Sequence, residues 1–84
     1  MYRIEYGKQA MKALLKMPRN SAELIRRKLE QLAANPNAMP NVVKLAGRPG
    51  YRLRVGDWRI LYEIEDEKLI ILVLKIALRG GAYQ

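Results

Sequence analysis

The chain has 84 residues, sixteen of them Lys or Arg against eight Asp or Glu, which gives a formal net charge of +8 at pH 7. This length suits one domain with a single modest core, and the excess of positive charge favours nucleic acid or an acidic protein as a partner. Cysteine and histidine are both absent, which excludes disulfides, the usual zinc sites and nucleophilic mechanisms based on Cys or His.

The N-terminal part is predicted to form a short strand followed by two helices. Apolar and charged residues alternate over Tyr2–Tyr6, as in a half-buried strand. Apolar residues at helical spacing predict an amphipathic helix over Lys8–Met17, closed by a proline. Asn20 and Glu23 resemble a capping box, so a second helix should begin there and run to about Ala34.

A β-hairpin is the most informative local feature. Apolar and basic residues alternate over Tyr51–Val55, and a second alternating stretch begins at Trp58. Gly56 and Asp57 between them suit a two-residue turn in which the glycine takes a positive φ. The predicted register is Val55 opposite Trp58, Leu53 opposite Ile60 and Tyr51 opposite Tyr62 on one face, with Arg54 opposite Arg59 and Arg52 opposite Leu61 on the other.

This register concentrates positive charge on one face of the hairpin. Like charges directly opposite each other destabilise a sheet by about a few tenths of a kcal/mol. The pairing of Arg54 with Arg59 therefore indicates a polyanionic ligand that relieves the repulsion. The alternative is that the arginines are solvated on an exposed face and pair with Glu63 and Glu65 nearby.

The C-terminal part contains the last predicted strand. Leu69–Ile76 is a near-continuous apolar run, as expected of a central strand covered on both faces. The run is too short to span a bilayer, so we expect a cytoplasmic protein without a membrane partner. A turn of two or of three residues before this strand would exchange its faces, which leaves the direction of Lys75 open.

These elements predict one α+β domain over residues 1–84. The order is β-α-α-β-β-β, with residues 37–50 as a turn-rich connection between the second helix and the hairpin. Both helices are expected on the apolar face of a small, mainly antiparallel sheet.

The chain resembles the RelE and ParE family, the small basic toxins of bacterial and archaeal type II toxin-antitoxin pairs. Three segments carry the resemblance: Lys44-Leu45-Ala46-Gly47, the hairpin from Tyr51 to Ile64, and the strand that ends in Arg79 with Tyr83 just beyond. RelE-type members cut messenger RNA in the ribosomal A site, whereas ParE-type members inhibit DNA gyrase. The resemblance implies a ribosome-dependent endoribonuclease; a non-enzymatic gyrase inhibitor and a plain nucleic-acid-binding module are the alternatives.

The resemblance also implies the site residues. The catalytic candidates are Arg59, Arg79 and Tyr83, and the RNA-binding candidates are Arg52, Arg54 and Lys44. In RNA cleavage Arg59 and Arg79 would hold the scissile phosphate, Tyr83 would serve as the base, and no metal or other cofactor is expected. Some cutting members use a histidine where this chain has Leu78, which cannot transfer a proton. The alternatives are that Arg79 is a solvated cation and Tyr83 a terminal aromatic docked on the core.

A toxin of this kind needs a neutralising partner. The resemblance implies a small acidic antitoxin whose helix covers apolar and basic surfaces of the toxin. Messenger RNA and the ribosome would be the other partners. DNA would be contacted only indirectly, through the antitoxin bound at its promoter.

Overall fold

The computed structural model describes residues 1–79 and has the predicted α+β fold, with one additional strand. The elements are β1 (Arg3–Tyr6), α1 (Lys8–Lys16), α2 (Arg19–Ala34), β2 (Val42–Lys44), β3 (Tyr51–Val55), β4 (Trp58–Glu65) and β5 (Ile70–Leu78). The additional strand, β2, lies in the segment predicted as a turn-rich connection. It forms because its backbone pairs with β3, a contact that three residues of sequence do not reveal.

All five strands form one sheet in the order β1-β5-β4-β3-β2. β1 is parallel to β5, and the other neighbours are antiparallel. The core cluster joins one face of this sheet to the helices. We call it the helix face; its buried members are Leu53, Val55, Ile60, Tyr62, Ile71, Val73 and Ile76. The opposite face, which we call the open face, carries Arg52, Arg54, Arg59, Leu61, Glu63, Leu72, Lys75 and Ala77.

Both helices bury one apolar stripe against the helix face. In α2 the stripe includes Ile25, Leu29 and Leu32, none of which is measurably exposed. The predicted capping box is wrong. The residue before α2 is Pro18, whose φ of −55° suits a helix start, and the side chain of Asn20 instead accepts a hydrogen bond from the next backbone N–H. In residues 1–79 neither helix is long and apolar enough to cross a membrane.

A β-bulge interrupts the pairing of β4 with β5. Leu61 is opposite Lys75, but the next residue, Tyr62, is opposite Val73. Leu74 is therefore the extra residue on β5. Such a bulge changes which face of the sheet each following side chain occupies.

A glutamine from α1 continues the sheet where β1 stops. β1 ends in the pair of Tyr6 with Val73. Beyond it, the side chain of Gln9 donates to the carbonyl oxygen of Ile76 at 3.2 Å and accepts from the N–H of Ile76 at 3.0 Å. The carboxamide thus satisfies both backbone groups that a further strand residue would have bonded.

Candidate functional site

The β3–β4 hairpin places three arginines on the open face. Arg54 is opposite Arg59 and Arg52 is opposite Leu61, which confirms the predicted register. Gly56 has a φ of +58°, and Asp57 does not have a positive φ. A positive φ at the first central residue alone is typical of a type II′ turn. Because the turn contains only these two residues, it determines which side chains share a face.

The hairpin turn also holds the guanidinium of Arg59. Its Nη1 atom donates to the carbonyl oxygens of Gly56 and Trp58, each at 3.1 Å. A guanidinium has five N–H donors in a rigid plane, so these two bonds orient the group and leave other donors for a ligand. Arg59 is half-buried and the arginine opposite it, Arg54, is exposed.

The carboxylates of the open face lie away from this arginine pair. Glu63 is opposite Leu72, further along β4, and Glu65 forms its ion pair with Lys68 at 3.8 Å. Within residues 1–79 the side chain of Arg54 has no hydrogen bond or ion pair. No carboxylate of the described residues therefore neutralises Arg54. An anionic ligand could offset its repulsion with Arg59.

Arg79 lies at the same end of the sheet as the hairpin turn. Its backbone N–H donates to the carbonyl oxygen of Asp57 at 2.7 Å, which extends the pairing of β5 with the turn. Two residues earlier, Ala77 is opposite Arg59. The exposed side chain of Arg79 therefore begins beside the Arg54–Arg59 pair.

Lys44 is offset from the arginines. On the edge strand β2 it is opposite Tyr51, whereas its neighbour Val43 is opposite Arg52, so Lys44 alternates away from the open face. It lines, with Arg52 and Leu61, a cleft of about 410 Å³ between β2 and the hairpin. Lys44 thus borders the cationic surface without being part of it.

The structure adds a cation that the sequence left undecided. Lys75 is opposite Leu61, and Leu61 is in turn opposite Arg52. The half-buried Lys75 therefore occupies the same transverse row of the open face as Arg52. We call Arg52, Arg54, Arg59 and Lys75 the cationic cluster.

Two tyrosines of the described chain are poor candidates for a general base. Burial, and secondarily the nearby Tyr51, raise the pKa of Tyr62 to about 12. Its ring stacks on that of Tyr51 at 5.5 Å between centroids, on the helix face. The hydroxyl of Tyr2 donates to the carboxylate of Asp66, and this bond raises the pKa of Tyr2. The predicted base, Tyr83, lies outside the described residues.

The sequence pattern of a known family covers nearly all of this chain. That family, described as "ParE toxin of type II toxin-antitoxin system, parDE", matches residues 4–83. The chain belongs to this toxin family. The matched range includes every sequence-predicted site residue, from Lys44 to Tyr83.

Individual members of the toxin family agree with this assignment. A chain of the archaeal RelE–RelB complex from Pyrococcus horikoshii is 30% identical, with a TM-score of 0.81 over 95% of this chain and 97% of that one. The isolated RelE toxin of Escherichia coli is 25% identical, with a TM-score of 0.79 over 99% of this chain and 92% of that one. The E. coli protein named mRNA interferase toxin RelE is 27% identical over 93% of this chain and 83% of its own length.

For this toxin, sequence reasoning found part of the site and missed part. It placed Arg52, Arg54 and Arg59 on one face, and the structure agrees. It left the face of Lys75 open, because that face depends on the bulge in the pairing of β4 with β5. Among residues 1–79, no group of His, Cys, Asp or Glu is placed to hold a metal ion.

Proposed function

We propose that this chain is the toxin of a type II toxin-antitoxin pair and acts as an mRNA interferase, cutting messages in the ribosomal A site. The observation that carries the proposal is the cationic cluster, which stands on an open face with Arg54 directly opposite Arg59. A fold selected for stability alone would avoid this pairing. An RNA backbone supplies the phosphates that would offset the repulsion.

The chemistry requires three contributions from the site. A base removes the proton of the 2′-hydroxyl, the 2′-oxygen bonds to phosphorus as the bond from phosphorus to the 5′-oxygen breaks, and an acid protonates the departing oxygen. Cations stabilise the charge that develops on the phosphoryl oxygens between these events. We expect no metal to be needed for these steps.

We assign the phosphate-binding role to Arg59 and Arg79. The turn carbonyls orient the guanidinium of Arg59 before a substrate arrives, which lowers the cost of reorganisation. The backbone hydrogen bond from Arg79 to Asp57 places Arg79 at the end of the sheet where Arg59 lies. Guanidinium groups bind phosphate bidentately, so two of them can hold one scissile group.

The remaining assignments follow from position and from chemistry. We propose Tyr83 as the base or as the group that orients the 2′-hydroxyl. Arg52 and Arg54 would hold neighbouring phosphates of the message. Lys44, at the border of the cationic cluster, would contact the RNA strand further along. Because this site has so few candidate groups, it would depend on the ribosome to orient the message and to supply groups that the protein lacks.

The partner we propose is a small acidic antitoxin. The relative from Pyrococcus horikoshii was solved as a RelE–RelB complex, which supports an antitoxin for this chain as well. A net charge of +8 favours an acidic sequence in that partner and makes the association sensitive to salt. DNA would be contacted through the antitoxin, and the toxin would act in the cytoplasm, where messages are translated.

Gyrase inhibition is the weaker function for this chain. The E. coli relative is named an mRNA interferase, and a gyrase inhibitor would have no use for an oriented Arg59 beside Arg79. We therefore propose residues 1–84 as a single RNA-cutting toxin domain.

The test is controlled expression of the chain with primer extension on cellular messages. We expect cuts within translated codons, and we expect Arg59→Ala and Arg79→Ala each to reduce cutting by about 100-fold or more, since each removes a donor to the developing charge. Arg27→Ala is the matched control, because Arg27 is an exposed arginine on α2. Growth arrest with intact messages and DNA damage would contradict the proposal and favour gyrase.

A further inference from the structure

Lys75 reaches the open face only because of the bulge in β5. Ile71 and Val73 belong to the buried helix face, and regular alternation from them would place Lys75 on that face too. An unpaired ammonium buried there would cost several kcal/mol, on the order of the penalty for any isolated buried ion. The extra residue Leu74 shifts the register, so that Lys75 comes opposite Leu61 instead.

The same shift makes Lys75 a neighbour of Arg59. Arg59 has Arg54 opposite it on β3 and Ala77 opposite it on β5. Lys75 precedes Ala77 by two residues and is therefore diagonal to Arg59, just as Arg52 is on the other side. Diagonal neighbours on one face lie roughly 7–8 Å apart, within reach of long side chains that share an anion.

Small and apolar side chains separate these cations. Ala77 presents a single methyl group opposite Arg59. Leu61, between Arg52 and Lys75, is 3% exposed although it lies outside the core cluster. Neighbouring side chains therefore close over Leu61, while Ala77 places only a methyl group next to Arg59 and Lys75 on the open face.

We propose that Lys75 is a further catalytic residue of this toxin, which contacts the scissile phosphate beside Arg59. The proposal rests on the mRNA interferase function proposed above. The ammonium is a compact charge with three donors, suited to phosphoryl oxygens that gain negative charge as the 2′-oxygen attacks and the 5′-oxygen departs. The proposed contribution of Lys75 is charge stabilisation, and the proton transfers are left to other groups.

The experiment measures single-turnover cleavage on ribosomes programmed with a short message. It compares the unmodified chain with Lys75→Met, Lys75→Arg and Lys68→Met. Lys68 is the matched control, because it is a lysine at the opposite end of β5 with a side chain 72% exposed. Methionine keeps most of the length of lysine and removes the charge together with its three N–H donors.

We expect Lys75→Met to slow cleavage by about 100-fold, as loss of one preorganised donor does, with little change in the half-saturating toxin concentration. Lys75→Arg should recover most of the rate, and Lys68→Met should cut as the unmodified chain does. Melting temperatures should agree among the four proteins.

Three results would overturn the role of Lys75. They are wild-type cutting by Lys75→Met, equal losses in Lys75→Met and Lys68→Met, and a loss that Lys75→Arg does not restore. In each case the unmodified chain still cuts, so the proposed function stands. Absence of cutting by the unmodified chain would instead overturn the proposed function, and the role of Lys75 with it.

Discussion

Across the same pair of strands, the two faces of the sheet have opposite compositions. On the helix face Leu53 is opposite Ile60, and both are at most 1% exposed. On the open face Arg54 is opposite Arg59. Burying one aliphatic side chain contributes about 1.5–3 kcal/mol, whereas a pair of like charges in a sheet costs only about a few tenths.

The difference shows how this small domain supports an unfavourable surface. Seven buried side chains of the sheet pack against the helices, and together they outweigh the repulsion on the other side. The helix face therefore provides most of the stability, and the open face can carry residues that bind a ligand. Substitutions on either side of one strand can test this division.

The largest expected effect is on the free energy of unfolding, when substitutions on the two faces of β5 are compared. Ile71 is fully buried on the helix face, and its neighbour Leu72 is half-buried on the open face. We expect Ile71→Ala to lower the free energy of unfolding by about 3–4 kcal/mol, and Leu72→Ala by about 1 kcal/mol, because only the first leaves a cavity in the core. Urea denaturation of both variants measures the difference. Equal losses would mean that the open face is as tightly packed as the helix face.

A smaller effect should follow from the pKa of Tyr62. Its pKa of about 12 in the folded state lies above the unfolded value of about 10. The protonated phenol thus stabilises the fold fully below pH 10, and this contribution is lost as the pH rises towards 12. A shift of two pKa units corresponds to about 2–3 kcal/mol.

The control for this alkaline loss is Tyr62→Phe. Among residues 1–79 the hydroxyl of Tyr62 has no hydrogen-bond partner, so phenylalanine should be tolerated in the core. We expect the free energy of unfolding to fall between pH 9 and pH 11.5 more in the unmodified chain than in the variant. Identical pH dependence in the two proteins would show that Tyr62 is accessible to ionisation.

The smallest effect on stability should come from Arg54→Leu on the open face. Removing one of two opposed arginines should leave the free energy of unfolding unchanged or raise it by about a few tenths of a kcal/mol. Cutting of messages should nevertheless fall by about tenfold or more, because a phosphate contact is lost. Thermal unfolding and primer extension measure the two properties on one sample. A destabilised variant would indicate that Arg54 supports the sheet.

Part of the structure of this toxin could be predicted from local sequence patterns. Two turn residues determine the whole hairpin register, so the positions of Arg52, Arg54 and Arg59 could be inferred from alternation alone. The helices could be inferred from apolar spacing. The capping-box pattern predicts the start of α2 at Asn20, but the helix begins at Arg19, directly after Pro18, which lies two residues before Asn20.

The other features could not be predicted from the sequence, because they depend on contacts between distant parts of the chain. β2 is only three residues long and exists through its bonds to β3. The face of Lys75 depends on one extra residue in β5, and a near-continuous apolar run gives no alternation from which to locate it. The bond of Gln9 to Ile76 joins residues 67 positions apart, and no local pattern encodes it.

That glutamine has a consequence for solubility. Unpaired strand edges invite pairing with other chains, and this is a common origin of aggregation in small sheets. β1 is too short to cover all of β5, so the backbone of Ile76 would otherwise be open to a neighbouring molecule. By bonding both groups of Ile76 with one side chain, Gln9 closes that part of the edge and helps this positively charged toxin to remain separate from its own copies.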